Sequence, residues 1–292
     1  MFFDVNRDTD RYLGVFTGTL TNESLDLVKF GNSIFVHDTL DGGASVWLRH
    51  SKDGSESKRF KSFVEELPQD WPSALELTGY EARKEDSVSI RCKCKGVDLI
   101  LHRGDYTDKE ESELPFNIDP KTHKLLAGFC GCDSCRLQSG VDVFNWTFAE
   151  TKYISFGNSD KIFPRSSFEL KKQVDARDPA FGTLTYYSSR EDVDRYFCSN
   201  CSACIFYVVD DRPEIFDIAV GVLEASDGAR AEGLLSWPYG ARISYREDGD
   251  GGWREKLFDN VERDAEEYRI ARKYPKNWIR TAKDENGGRS PQ

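Results

Sequence analysis

The chain has 292 residues, enough for one large domain or two modest ones, each with a real core. Hydrophobic residues make up 38% and charged residues 31%, an ordinary globular composition, and no apolar run approaches the ~18 residues that span a bilayer. The formal net charge of −11 argues against DNA or RNA as a partner, because an anionic surface repels phosphate.

The start, Met1-Phe2-Phe3-Asp4-Val5-Asn6, lacks a basic region followed by an apolar stretch, so no secretory signal is visible and a cytoplasmic protein is expected. Residues 1–50 read as β, with strands over 12–16, 33–37 and 44–48 separated by Gly and Asp-Gly turns. Residues 51–86 are polar, interrupted by Pro68 and Pro72, and read as a linker. The β pattern resumes over 88–92 and 97–101, passes an acidic loop at 105–113, and continues over 124–127, 143–148, 181–187, 205–209 and 216–220. The end differs: Trp253, Leu257, Phe258, Val261, Ala265 and Tyr268 recur at helical spacing, so residues 252–292 read as one amphipathic helix and a disordered tail. The basic run at 269–276 reads as the solvated end of that helix.

An internal repeat is visible. Residues 1–20 align without gaps on residues 204–223, with Phe3 on Phe206, Val5 on Val208, Asp8 on Asp211, Gly18 on Gly221 and Leu20 on Leu223. Met1 falls on Cys204, so the first copy lacks every cysteine-bearing segment. Two roles stay open for it: packing on the second copy to complete its core, or mediating a homodimer.

The eight cysteines sit at 92, 94, 130, 132, 135, 198, 201 and 204, in tight clusters that favour metal over a disulfide framework. In Cys92-Lys93-Cys94 both sulfurs share one face of a strand. Cys198-Ser199-Asn200-Cys201 has zinc-knuckle spacing. Together they offer four thiolates, the donor set of a closed structural zinc. Cys130-Gly131-Cys132-Asp133-Ser134-Cys135 offers three ligands in one run, and Gly131 suggests a backbone folding tightly around an ion. Three protein ligands leave a fourth position for water or substrate, the mark of a catalytic zinc. Such a soft site suits a fourth sulfur and would activate a thiol such as glutathione. Two zincs per chain are therefore expected. Cys204 is left over, with three readings: a buried apolar residue, a fourth ligand to the second zinc, or a redox partner of Cys201. His37, His50, His102 and His123 read as surface or packing residues, although His102 and His123 flank the cysteine segments and could serve as ligands.

These motifs carry a resemblance. Cys92-Lys93-Cys94, then Gly128-Phe129-Cys130-Gly131-Cys132-Asp133-Ser134-Cys135-Arg136 with Gly140, then Arg195-Tyr196-Phe197-Cys198-Ser199-Asn200-Cys201, and finally Asp217-Ile218-Ala219-Val220-Gly221-Val222-Leu223 resemble the glutathione-dependent formaldehyde-activating enzyme family, which includes centromere protein V. The resemblance covers residues 87–251 and makes residues 1–50 a degenerate partial copy without metal ligands. It implies a mainly β, β-tent fold of antiparallel sheets with zinc sites, followed by the C-terminal amphipathic helix. It implies a structural zinc on Cys92, Cys94, Cys198 and Cys201 and a catalytic zinc on Cys130, Cys132 and Cys135. The implied activity is that of a carbon–sulfur lyase or its reverse, acting on glutathione or a glutathione adduct, as in S-(hydroxymethyl)glutathione formation.

Arg136 reads as a charge for a substrate carboxylate or as half of a structural salt bridge, and Trp146 and Tyr207 read as core residues that could also wall the pocket. The rivals are a non-catalytic zinc scaffold that docks a protein through residues 253–273, and a thiol oxidoreductase using Cys201 and Cys204.

Overall fold

The computed structural model of the chain describes residues 2–7, 10–23, 28–51 and 54–279, with the backbone alone over 2–13. The expected disordered tail lies outside the described residues, as do Met1 and Asp8 of the repeat alignment. The fold is mainly β. A seven-stranded sheet contains β5 (Leu125–Cys130), β6 (Phe144–Glu150), β8 (Leu184–Arg190), β9 (Val193–Cys198), β10 (Cys204–Val209), β11 (Ile215–Ala219) and β13 (Leu235–Ser236). Its order is β13-β5-β6-β11-β10-β9-β8, antiparallel except for the β13–β5 pair. A second sheet, fully antiparallel, contains β3 (Ser87–Arg91), β4 (Asp98–His102), β7 (Ile154–Phe156) and β12 (Leu223–Glu224) in the order β12-β3-β4-β7. Alternation drives this pairing: along β3, Val88 and Ile90 are buried while their neighbours are not, so one face turns to the core.

β1 (Phe2–Arg7) and β2 (Asp10–Val15) form a separate hairpin, followed by a 3-10 turn at Thr17–Thr19. Shifted onto residues 204–223, these elements fall on β10, β11 and the 3-10 turn at Val220–Val222. The register differs by one residue: Phe3 pairs with Gly14, whereas Phe206 pairs with Ile218, the position aligned to Val15.

The strands expected at 33–37 and 44–48 are 3-10 turns instead, at Val36–Thr39 and Gly43–Val46. Phe35, Leu40, Gly42 and Gly43 all adopt positive φ, which no strand can continue through. The Thr39 and Ser45 hydroxyls donate to the carbonyls of Val36 and Gly42 at 2.6 Å, rewarding the turn over an extended ladder. Likewise residues 179–181 turn, and β8 begins only at Leu184.

Residues 15–50 share the core of the cysteine-bearing part. Trp47 packs edge-on against Phe129, with ring centroids 5.0 Å apart, and against Trp237 at 5.1 Å. The same buried cluster includes residues of both larger sheets. The stretch expected to be a linker is also tied down: the Thr78 carbonyl accepts from Tyr274 Oη at 2.6 Å, Tyr80 Oη donates to Asp119, and Arg83 holds the Thr122 carbonyl.

Three helices punctuate the sheets: α1 (Asp133–Ser139), α2 (Ser167–Asp175) and α3 (Trp253–Ala271). α3 is the expected amphipathic helix. Its apolar face, Leu257, Phe258, Val261 and Ala265, is buried within the chain, which uses up the surface that a docking helix would offer. No helix among the described residues is long and apolar enough to cross a membrane.

Replacing Trp47 by Ala should cost ~3–5 kcal/mol in a denaturant titration of the whole chain, the usual loss for a buried Trp. A change below ~0.5 kcal/mol would mean that residues 15–50 are energetically separate from the sheets.

Candidate metal centres

Cys92 follows the last residue of β3, and Cys94 lies in the turn to β4. Cys198 ends β9, and Cys201 lies in the turn to β10. The two turns meet, and all four sulfurs lie within 4.8 Å of one another. Cys94 Sγ is 3.6 Å from Cys92 Sγ and 3.5 Å from Cys198 Sγ. These separations far exceed a disulfide bond and suit a tetrahedral ion with sulfur bonds of ~2.3 Å, whose ligands sit ~3.8 Å apart. Backbone and hydroxyl donors point at the sulfurs: Val97 N to Cys92 at 3.3 Å, Cys201 N to Cys198 at 3.5 Å, and Thr183 Oγ1 3.0 Å from Cys198. Burial opposes ionisation of Cys198, but Thr183 and the nearby backbone N–H groups prevail and bring its thiol down to about 6. The turns are held to each other by Thr183 N, which donates to the Gly96 carbonyl, and by Ser199 N, which donates to the Thr183 carbonyl.

The second cluster is local. Cys130 ends β5, Cys132 caps α1, and Cys135 sits in its first turn. Cys132 Sγ accepts from Cys135 N at 3.3 Å, and Cys130 Sγ lies 3.7 Å from Cys135 Sγ. The three sulfurs lie within 4.8 Å of one another, and among the described residues no fourth Cys, His, Asp or Glu joins them. Hydrogen bonds from Cys130 and then Cys132 hold the Cys135 thiol well below the usual range, with Arg195 adding a favourable charge, while Cys132, Cys135 and burial push Cys130 up. Both clusters can hold a metal ion.

Gly131 is needed for a different reason from the one expected. Its φ is not positive. A Cβ there would sit 2.8 Å from Phe258 Cζ and 3.2 Å from Ile243 Cγ2, so the residue lets α3 and the 243–244 segment close over the cysteine loop. Gly131 N and Ser244 N exchange hydrogen bonds with the Ser244 and Phe129 carbonyls, fixing that approach.

The three thiols open onto a cavity of about 590 Å³. Its floor follows from sheet register. Asp217 lies between Phe148 on β6 and Tyr207 on β10, and Tyr207 pairs with Arg195 on β9, so these four share one face with Trp146. Trp146 and Tyr207 both line the cavity as well as packing on each other, with ring centroids 6.1 Å apart.

Arg195 is a functional residue that the sequence patterns do not single out. It is buried, stacks over Tyr207 with its guanidinium 4.7 Å from the ring centre, donates to Gln138 Oε1 at 2.8 Å and approaches Cys135 Sγ at 3.9 Å. It stands three residues before Cys198, and the β9–β10 register carries it to the other cluster. The patterns do not single out Asp217 either. It is buried, accepts from Arg212 Nη1 at 2.5 Å, and burial overrides that partner to raise its carboxyl to about 6.

Arg136 goes elsewhere. It does not line the cavity. Its buried guanidinium donates to the Gly18 and Leu20 carbonyls and to the Asp133 carboxylate, so the charge expected to meet substrate is already spent. Cys201 belongs to the four-thiol cluster, and Cys204 to neither cluster. Cys204 is half-buried and accepts from Gln138 Nε2 at 3.2 Å, and burial pushes its thiol up to about 12. No histidine among the described residues joins a thiol cluster. His50 does meet Asp264 and Glu267, but Asp264 is occupied by the backbone N–H groups of Arg49 and His50 and by Arg263.

No protein-family model matches this chain. No curated protein matches it either. Among solved structures, the chain is similar to the crystal structure of a Rhodobacter sphaeroides protein, a Northeast Structural Genomics target, at 16% identity, covering 51% of this chain and 98% of that chain with a TM-score of 0.29.

Elemental analysis of the purified chain should find two metal ions per molecule. Cys132→Ala should lose one and stay folded, whereas Cys198→Ala should lose the other and lower the thermal midpoint. Unfolding of Cys132→Ala would contradict the division between an accessible centre and a structural one.

Proposed function

We propose that the Cys130, Cys132 and Cys135 centre binds zinc and joins a thiol of the glutathione type to an aldehyde, or cleaves the adduct, as a carbon–sulfur lyase of the formaldehyde-activating enzyme kind. The observation that carries this reading is three converging thiols at the wall of a 590 Å³ cavity, with no fourth protein ligand among the described residues. The order and spacing of seven cysteines support it, as does the separate four-thiol cluster, which fits the structural zinc of such a protein. When bound, zinc would supply Lewis acidity to a sulfur donor and hold it ionised at neutral pH.

The remaining roles fall to the chain. Arg195 offsets the negative charge gathered at Cys135 and is itself kept in place by Gln138 and the Tyr207 ring. Trp146, Phe148 and Tyr207 give the electrophile an apolar wall that limits water. Asp217 handles the proton. In the addition, the sulfur lone pair forms the S–C bond, the carbonyl π pair moves to oxygen, and that oxygen takes the proton of the Asp217 carboxyl, which water then restores. In cleavage the Asp217 carboxylate removes the hydroxyl proton, the C=O bond re-forms, and the S–C pair leaves with sulfur. Among the described residues, Arg212, Arg195 and Asp211 act on its charge, and Tyr207 faces it from β10.

Exchange NMR with labelled formaldehyde and glutathione tests the activity. The zinc-loaded protein should speed exchange between free aldehyde and thiol adduct, and Cys132→Ala should abolish the effect. No acceleration across a panel of thiols and aldehydes would overturn the reading.

The same assay tests Asp217. Cleavage needs its carboxylate, so the rate should rise with pH through about 6, and Asp217→Asn should lose that rise along with most of the rate. An unchanged pH profile in the variant would remove Asp217 from the mechanism.

A further inference from the structure

We infer that the N-terminal segment 16–22 is a clamp on α1, and that the three-thiol centre, unlike the four-thiol centre, depends on it for its metal. α1 has seven residues, too few to hold a helical shape by itself, yet it is capped by one thiol ligand and carries another. Something outside it must fix Cys132 and Cys135 relative to Cys130.

The segment does this from two sides. At the end of α1, Gly140 turns the chain with φ of 81° and closes the helix by donating to the Arg136 carbonyl, and its own carbonyl accepts from Gly18 N at 3.0 Å. The two glycines touch so closely that a Cβ on Gly18 would lie 2.7 Å from both Gly140 O and Val141 N. A Cβ on Gly140 would lie 2.8 Å from Phe16 Cβ. Along α1, Arg136 reaches out to the carbonyls of Gly18 and Leu20.

A second buried arginine holds the segment from α3. Arg254 donates to the carbonyls of Thr17 at 2.6 Å, Leu20 at 3.0 Å and Thr21 at 3.2 Å, and its Nε meets Asp142, which also accepts from Thr17 Oγ1 at 2.5 Å. Trp253 Nε1 adds a bond to the Thr21 carbonyl. Two guanidiniums withdrawn from water therefore rely on the carbonyls of residues 17–21. If the segment lifts, Arg136 loses the Gly18 and Leu20 carbonyls and Arg254 those of Thr17, Leu20 and Thr21, and α1 loses the contacts that fix it from this side. The four-thiol centre makes none of these contacts; Thr183, Gly96 and its own turns hold it.

This gives the cysteine-free N-terminal copy a role: its Gly18 supports the centre that the second copy builds. Gly221, the residue aligned with Gly18, has open space where its Cβ would be and serves as the control.

The test is metal release. Zinc-loaded wild type, Gly18→Ala, Gly221→Ala and Arg136→Gln would each be mixed with a chromogenic chelator and followed in time, with the thermal midpoint measured in parallel. Gly18→Ala and Arg136→Gln should release one of the two zincs at least tenfold faster, with the second zinc released at the wild-type rate. Gly221→Ala should match wild type. Release of both zincs together, or no change at either centre in the two variants, would overturn the clamp. The inference rests on the three-thiol centre binding metal, and the wild-type arm separates the two failures: a chain that binds one zinc only refutes the centre, whereas two zincs with unaltered release in Gly18→Ala refutes the clamp.

Discussion

Seven sulfur atoms drawn into two groups, the atoms of each within 4.8 Å of one another, set the layout of this protein. Thiolates at that separation repel, and neutral thiols attract one another only weakly, so the arrangement gains its stability when a cation sits between them. For the four-thiol group the consequence is architectural. Cys92 and Cys94 lie at the β3–β4 turn of the four-stranded sheet, and Cys198 and Cys201 at the β9–β10 turn of the seven-stranded one, so a single ion held there would join the two sheets at one end. The aromatic core formed by Phe156, Phe163, Phe181, Phe206 and Phe216 fills the space between them. Because such a site is assembled only by folding, metal binding there would add to the stability of the folded chain.

The three-thiol group is placed differently, on a short helix at the edge of a cavity. The structure compensates by bracing the cysteine loop from outside. Phe258 and the 243–244 segment close over Gly131, Asp133 N is held by Asp248, and the N-terminal segment grips Gly140 and Arg136. Each brace comes from a part of the chain distant in sequence. The cavity on one side of the sulfurs and the braces behind them are thus supplied by different elements.

Much of this was legible in the sequence because the signals are local. Cysteine spacing separates one closed set of four from one compact set of three, and alternation places most strands of the two sheets. Helical spacing from Trp253 to Tyr268 gives α3. What failed was decided by contacts that no local pattern encodes. Residues 33–37 and 44–48 have the composition of strands, but four positive φ values fold them into turns under Trp47. α2 has a readable start, with Ser166 accepting from Glu169 N, yet its apolar spacing is too sparse to stand out. Arg136 sits beside the ligands in sequence and points away from the cavity, whereas Arg195 is remote in sequence from Cys135 and touches it, because β9 and β10 pair in the register that brings it there.

X-ray absorption at the zinc edge tests the central claim most directly, since it counts the sulfurs around the metal. A fully loaded chain with one four-thiol and one three-thiol centre should average about three and a half sulfurs per ion at ~2.3 Å, rising toward four when glutathione is added. Four sulfurs per ion before any thiol is added, or a value below three, would contradict a closed centre paired with an open one.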